Sequence, residues 1–113
     1  MLAVLSALLM SRGLADAAGA PINFTLTYFS DAACSAVGGG PPGLLANPVN
    51  APMGRCTPLL DSGYAFKGVS CLKGGWAVSE QYPMGCSSPA TSTQNVSEGK
   101  CGQEQGVYYT VTC

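Results

Sequence analysis

The residues with the clearest chemistry in this chain are its six cysteines: Cys34, Cys56, Cys71, Cys86, Cys101 and Cys113. Structural zinc sites use closely spaced C-x₂₋₄-C pairs and usually histidine. No two of these cysteines are that close, and the chain has no histidine. A catalytic thiol would also lack a histidine to activate it. An even number of cysteines behind an export-type N-terminus therefore predicts a disulfide framework.

The cysteines form two similar triplets. In each triplet the second cysteine follows a glycine and a basic residue, and the third ends an alternating segment: Gly54-Arg55-Cys56 with Tyr64–Cys71, and Gly99-Lys100-Cys101 with Val107–Cys113. Because internal self-similarity indicates a repeated structural unit, we divide the chain into repeat one, about 23–71, and repeat two, about 76–113.

The repeat restricts the disulfide pairing, since six cysteines otherwise allow 15 patterns. Cys71 and Cys113 both end a strand-like segment, which favours a bridge between the repeats. The other pairs are then expected to be local, Cys34–Cys56 and Cys86–Cys101, each closing one loop at its base. Closing an unfolded loop of this size stabilises a protein by about 3 kcal/mol.

Four segments predict β-strands, because they are rich in Val, Thr, Tyr, Phe and Trp: 24–29, 64–71, 76–82 and 107–113. Lys73-Gly74-Gly75 predicts a hairpin loop between the second and third of them. No window after residue 21 has a helical apolar period. We therefore predict an all-β fold, a small disulfide-stapled β-sandwich or barrel made of two pseudo-symmetric cysteine-bearing repeats.

The segment from Gly38 to Met53 contains clustered glycine and proline and no periodic pattern. These features predict a long exposed loop. Leu44 and Leu45 interrupt it, and we expect them to dock on the body of the domain or on a neighbouring molecule.

The N-terminus predicts an export signal. Leu2–Met10 is an apolar run, too short for a bilayer, which needs about 20 residues. Small residues such as Ala15 and Ala17 follow it, as at a cleavage site. No basic residue precedes the run; Arg12 follows it. We expect residues 1–17 to be a signal peptide and 18–113 to be a single secreted, extracellular domain.

Composition argues against several function classes. Charged residues make up only 10% of the chain, and the net charge is −1. The absence of a basic patch argues against nucleic-acid binding, and no polybasic or amphipathic segment suits a membrane surface. We expect no membrane span, metal or cofactor.

The carboxylates do not suggest an active site. Glycosidases need two carboxylates that face one cleft, whereas Asp61 and Glu104 fall in what the repeat places as equivalent turns. The lack of histidine removes the commonest general base. We expect Asp61 and Glu104 to be turn residues and the protein not to be an enzyme.

Two N-glycosylation sequons are present, Asn23-Phe24-Thr25 and Asn95-Val96-Ser97. In an exported chain each predicts a surface position that carries an N-linked glycan. Asn95 is the stronger candidate, because it adjoins a segment rich in Ser and Thr (87–93) that predicts a loop. Asn23 stands at the start of a strand.

Aromatic residues offer the remaining candidate site. They could form a sugar-stacking platform or pack in the core. Core packing is favoured, because aromatic residues in strands usually stabilise the sheet. The candidates are Tyr64, Phe66, Trp76, Tyr82, Tyr108 and Tyr109. The neighbours Tyr108 and Tyr109 must face opposite sides of a strand.

Two functions fit these observations. The first is a secreted structural glycoprotein, a self-assembling subunit of an extracellular matrix, coat or filament. Self-association would use an N-terminal arm (18–23) that adds to a neighbour's sheet, or the loop 35–55. The alternative is a secreted glycan- or protein-binding module or effector.

Overall fold

A computed structural model describes residues 23–113, which form an all-β sandwich of two four-stranded antiparallel sheets. The strands are β1 (Asn23–Phe29), β2 (Val49–Pro52), β3 (Cys56–Pro58), β4 (Ala65–Cys71), β5 (Trp76–Tyr82), β6 (Ser92–Ser97), β7 (Gly102–Glu104) and β8 (Val107–Thr112). The predicted fold class is therefore confirmed. The predicted signal peptide 1–17 and residues 18–22 of the predicted arm lie outside the described residues.

The two sheets have the strand orders β2-β1-β8-β7 and β3-β4-β5-β6. The four strands predicted from the sequence are the central ones, β1, β4, β5 and β8, and the hairpin loop between β4 and β5 is confirmed. Their alternating apolar side chains face the other sheet, where burial stabilises them. In the described part of the chain, no helix has the length and hydropathy needed to cross a membrane.

The predicted loop from Gly38 to Met53 is only partly a loop. Residues Val49–Pro52 form β2, and the side chains of Val49 and Ala51 are buried. Leu44 docks on the domain through an isolated bridge to Leu60 and packs against the core. Leu45 remains exposed.

Strand pairing in the first half (23–71) corresponds to pairing in the second half (76–113). Exchanging β1, β2, β3 and β4 for β5, β6, β7 and β8 converts the strand order of each sheet into that of the other. The register follows the same rule. Asn23 pairs with Pro52 as Trp76 pairs with Ser97, and Thr25 pairs with Asn50 as Val78 pairs with Asn95. The paired strand residues of one half therefore have register counterparts in the other.

A bulge shifts this correspondence in β4. The register of β4 against β5 slips between Gly68 and Ser70, so Val69 is an extra residue with no counterpart in β8. Counting backwards from Cys71 and Cys113, the sequence alone matches Val69 with Val111 and Phe66 with Tyr108. The register shows instead that Gly68 corresponds to Val111 and Phe66 to Tyr109.

All six cysteines are paired in the structure, and the map differs from the predicted one in two bridges. Cys71–Cys113 is confirmed. The predicted local pairs Cys34–Cys56 and Cys86–Cys101 are wrong, because the bridges are Cys34–Cys101 and Cys56–Cys86.

The reason for the difference is that the chain changes sheet between the first and second cysteine of each triplet. Cys34 follows β1 in one sheet, whereas Cys56 begins β3 in the other. Cys101, the partner of Cys34, lies beside β7 at the edge of the sheet that contains β1. Both corrected bridges thus tie the two halves together within one sheet, and exchanging the halves converts one into the other.

The best-packed part of the core joins the sheets near the start of β1. Phe24 is 2% exposed, and its ring centroid lies 5.7 Å from that of Phe66 on β4. Gly68 on the same strand lies against this ring, since a Cβ at Gly68 would stand 2.7 Å from a ring carbon of Phe24. Glycine at this position makes room for the phenylalanine.

Candidate functional site

A cleft of about 310 Å³ lies between the two sheets and has two kinds of lining. Apolar side chains supply much of it, including Phe24, Leu26, Leu59, Phe66 and Val111. Polar groups converge from both sheets: Tyr28, Tyr64, Ser79, Gln81, Gln94, Glu104 and Tyr109. This volume is at the lower end of the range of small-molecule sites, which are typically apolar clefts with a few convergent polar groups.

The polar lining belongs mostly to the second half of the chain. Five of its residues are the register counterparts of residues that are apolar or aromatic in the first half: Ser79 of Leu26, Gln81 of Tyr28, Gln94 of Val49, Glu104 of Leu59 and Tyr109 of Phe66. Glu104 follows Cys101 by three positions, as Leu59 follows Cys56. The first half thus fills these inward positions with core side chains, while the second half uses hydrogen-bonding groups.

The polar groups on β5 are held in place by one chain of hydrogen bonds. The hydroxyl of Tyr64 donates to Oε1 of Gln81 (2.6 Å), and Nε2 of Gln81 donates to Oγ of Ser79 (2.8 Å). Buried polar groups are costly unless they are paired, and this chain pairs the polar groups of one wall before any ligand arrives.

A second set of hydrogen bonds connects the edge strands of the two sheets. Nε2 of Gln94 on β6 donates to Oε2 of Glu104 on β7 (2.5 Å) and to the hydroxyl of Tyr109 on β8 (3.3 Å). Gln94 and Tyr109 are half-buried, whereas Glu104 is exposed. The three residues therefore form a polar rim where the cleft meets solvent.

Burial keeps the tyrosines of the cleft protonated. Desolvation, reinforced by Tyr64, Tyr109 and Glu104, raises the pKa of Tyr28 to about 12. Desolvation and the negative charge of Glu104 also raise the pKa of Tyr64 and of Tyr109. All three hydroxyls are hydrogen-bond donors at neutral pH. They surround a carboxylate, so the cleft has both donors and a strong acceptor.

The structure corrects the interpretation of Glu104. Sequence reasoning treated Asp61 and Glu104 as equivalent turn residues, but Glu104 ends β7 and lines the cleft, whereas Asp61 is an exposed turn residue. The register counterpart of Glu104 is Leu59 rather than Asp61. The signal was available in the sequence, since alignment on Cys56 and Cys101 places Glu104 opposite a buried leucine.

Other carboxylates have structural partners. Glu80 lies outside the cleft and pairs with Lys67 at 3.1 Å. Hydrogen bonds from Lys67 and Tyr82 lower the pKa of Glu80. Glu98 is buried and accepts hydrogen bonds from the backbone N–H groups of Gly74 (2.8 Å) and Cys113 (3.3 Å). Among the described residues only Glu104 places a carboxylate in the cleft.

The candidate aromatic residues divide between core, cleft and surface. Phe66 and Tyr82 are buried, and Tyr64 and Tyr109 line the cleft. As expected for adjacent strand residues, Tyr108 and Tyr109 face opposite sides, and only Tyr109 lines the cleft. Trp76 is 60% exposed on the outside of the sandwich.

Both sequon asparagines are exposed, at the start of β1 for Asn23 and within β6 for Asn95. Residues 87–91 of the predicted loop lie between strands, but β6 begins at Ser92, so Asn95 lies in a strand and not in a loop. Asn95 is on an edge strand and faces away from the cleft, since its neighbours Gln94 and Val96 line the cleft.

Within residues 23–113, no group of three or more His, Cys, Asp and Glu side chains is placed to hold a metal ion. Comparison of the chain with protein-family models, with curated proteins and with solved structures finds no match. The site must therefore be interpreted from its own chemistry.

Proposed function

We propose that this protein is a secreted glycan-binding module whose cleft between the sheets accepts a short neutral saccharide. The observation that carries the proposal is the replacement of buried apolar side chains, Leu26, Val49 and Leu59, by Ser79, Gln94 and Glu104 at the corresponding positions of the second half. Sugars have apolar C–H faces and hydroxyl edges, which suit a cleft in which each sheet contributes both apolar side chains and hydrogen-bonding groups. Glu104 can accept from two sugar hydroxyls as a charge-assisted acceptor.

The free-energy cost of polar side chains at these positions favours ligand binding over a structural role. A buried polar side chain such as Ser79 needs a hydrogen-bond partner and gives up the apolar burial that a leucine would contribute in its place. The first half demonstrates that apolar residues at the same register positions build a packed core. Leucine at the position of Ser79 and valine at that of Gln94 would extend the packed core, as Leu26 and Val49 do in the first half, so we infer that the polar groups there serve a ligand.

The disulfides and the N-terminal sequence support an extracellular ligand. Three disulfides in one small domain are typical of an oxidising compartment, and the N-terminal sequence predicts a signal peptide. We propose that the module acts outside the cell.

The test is to fill the cleft with the first-half residues. We expect the variant Ser79→Leu/Glu104→Leu to fold but to bind neutral oligosaccharides at least about tenfold more weakly, a loss of about 1.4 kcal/mol. Isothermal titration with the oligosaccharides that an array identifies measures the change. Glu80→Gln, which removes a carboxylate outside the cleft, is the matched control and should bind normally.

Two results would contradict the proposal. One is an array on which the wild-type protein binds no saccharide. The other is a filled-cleft variant that binds as tightly as the wild type, which would place the ligand elsewhere. Circular dichroism and thermal melting establish that each variant is folded before its binding is interpreted.

Self-assembly as a structural glycoprotein of a matrix, coat or filament is the second candidate. It is favoured by apolar side chains that the 35–55 loop exposes, with Val37 60% and Leu45 55% exposed. Sedimentation of native material distinguishes the candidates, since large particles support assembly and a monomer over a wide concentration range rejects it.

A further inference from the structure

The only tryptophan of the chain, Trp76, is 60% exposed at the start of β5. This exposure leaves most of a large, flat aromatic ring open to solvent and to a partner that can stack on it. Trp76 lines a shallow depression together with Asn95, Ser97, Lys100 and Gln103. The depression lies beside the edge strands β6 and β7 and shares Val96 and Tyr109 with the candidate glycan-binding cleft, whereas Trp76 itself does not line that cleft.

Strand register places Trp76 and the sequon on the same face of the sheet. Trp76 pairs directly with Ser97, and Val78 pairs with Asn95. Because side chains alternate along a strand, Trp76, Asn95 and Ser97 project together from the outer face. Trp76 and Asn95 are diagonal neighbours, for which the typical separation is about 7–8 Å. The first sugar of a glycan on Asn95 spans this distance.

We propose that an N-glycan on Asn95 packs the apolar face of its first N-acetylglucosamine on the indole ring of Trp76. The exposed ring is a ready surface for the C–H groups of a pyranose, whose contact removes apolar area of both partners from water. Lys100 and Gln103, which line the same depression, can donate hydrogen bonds to the sugar's hydroxyl and acetamide oxygens. Trp76 is thus a built-in platform for the chain's own glycan.

The second sequon provides a contrast within the same molecule. Asn23 is the register counterpart of Trp76, and it pairs directly with Pro52. Its neighbours on the same face of β1, β2 and β8 are Thr25, Asn50 and Thr112, none of which is aromatic. A glycan on Asn23 has no comparable platform there.

The experiment uses the full chain, secreted from a eukaryotic host, as four proteins: wild type, Asn95→Gln, Trp76→Ala and the double variant. Intact mass establishes whether Asn95 carries a glycan. With Trp76 present, we expect Asn95→Gln to lower the melting temperature by about 4 °C, a scale typical of one such contact in a domain of this size. With alanine at position 76, the same change should have little effect. Asn23→Gln, the matched control, should shift the melting temperature equally in both backgrounds.

Fluorescence gives an independent measurement, because all tryptophan emission comes from residue 76. Enzymatic removal of N-glycans from the Asn23→Gln protein should shift this emission to longer wavelength as water reaches the ring. The proposal is overturned if Asn95 carries no glycan, if the effect of Asn95→Gln is the same with and without Trp76, or if the emission does not change. Because Trp76 lies outside the cleft, saccharide binding by the cleft is unaffected by these results.

Discussion

Replacing both Cys34 and Cys101 by serine is expected to lower the free energy of unfolding by about 4 kcal/mol. The bridge joins residues 67 positions apart, the longest separation of the three, and constraining a longer unfolded loop removes more chain entropy. A loss of this size is a large part of the 5–15 kcal/mol that stabilises a typical domain. Denaturant unfolding of the non-reduced variant measures it.

The matched control is Cys56→Ser/Cys86→Ser, which removes the corresponding bridge of the other sheet. Its residues are 30 positions apart, so the same loop argument gives a loss about 0.7 kcal/mol smaller. Non-reduced peptide mapping of the wild type tests the bridge map itself. Recovery of Cys34 joined to Cys56 would contradict the structure and this comparison together.

Replacing Phe24 by alanine is expected to cost about 3–5 kcal/mol of unfolding free energy. The side chain is 2% exposed and contacts Phe66 across the sandwich, so its loss removes apolar burial and leaves a cavity. Thermal or denaturant unfolding measures the change. Phe29→Ala is a matched control, because Phe29 is only half-buried and should cost less.

A second substitution tests the mechanism of the Phe24 effect. Gly68 touches the Phe24 ring, and the register counterparts of Phe24 and Gly68 are Ala77 and Val111. Gly68→Val alone should destabilise the protein by about 1–3 kcal/mol through overpacking. In the Phe24→Ala background the valine should instead fill the cavity, so the double variant is more stable than the sum of the two penalties predicts. Strictly additive penalties would contradict the proposed packing.

The central strands could be predicted from the sequence because their burial is visible in it. β-Branched and aromatic residues are frequent enough in β1, β4, β5 and β8 to predict strands there. The edge strands could not be predicted, because β6 has the sequence Ser-Thr-Gln-Asn-Val-Ser and β7 has only three residues. Such segments become strands because a central neighbour offers them a register, and that tertiary effect leaves no local pattern.

Two of the three predicted disulfides were wrong and the cleft was not predicted, for related reasons. Two triplets of cysteines indicate a repeat but not the point at which the chain changes sheet, and that point decides which cysteines meet. The bulge at Val69 shifted the alignment of β4 with β8 by one residue. With Phe66 matched to Tyr108, the correspondence between Phe66 and the cleft residue Tyr109 was hidden.

The interleaved strand order also constrains how the domain can be made. Each sheet takes its two middle strands from different halves, so β1 acquires one of its two neighbours only when β8 has left the ribosome. Neither half can close a sheet by itself while synthesis is in progress. Folding must therefore follow translation of nearly the whole domain. Until the second-half cysteines have been synthesised, Cys34, Cys56 and Cys71 lack their native partners, and their thiols are exposed to mispairing.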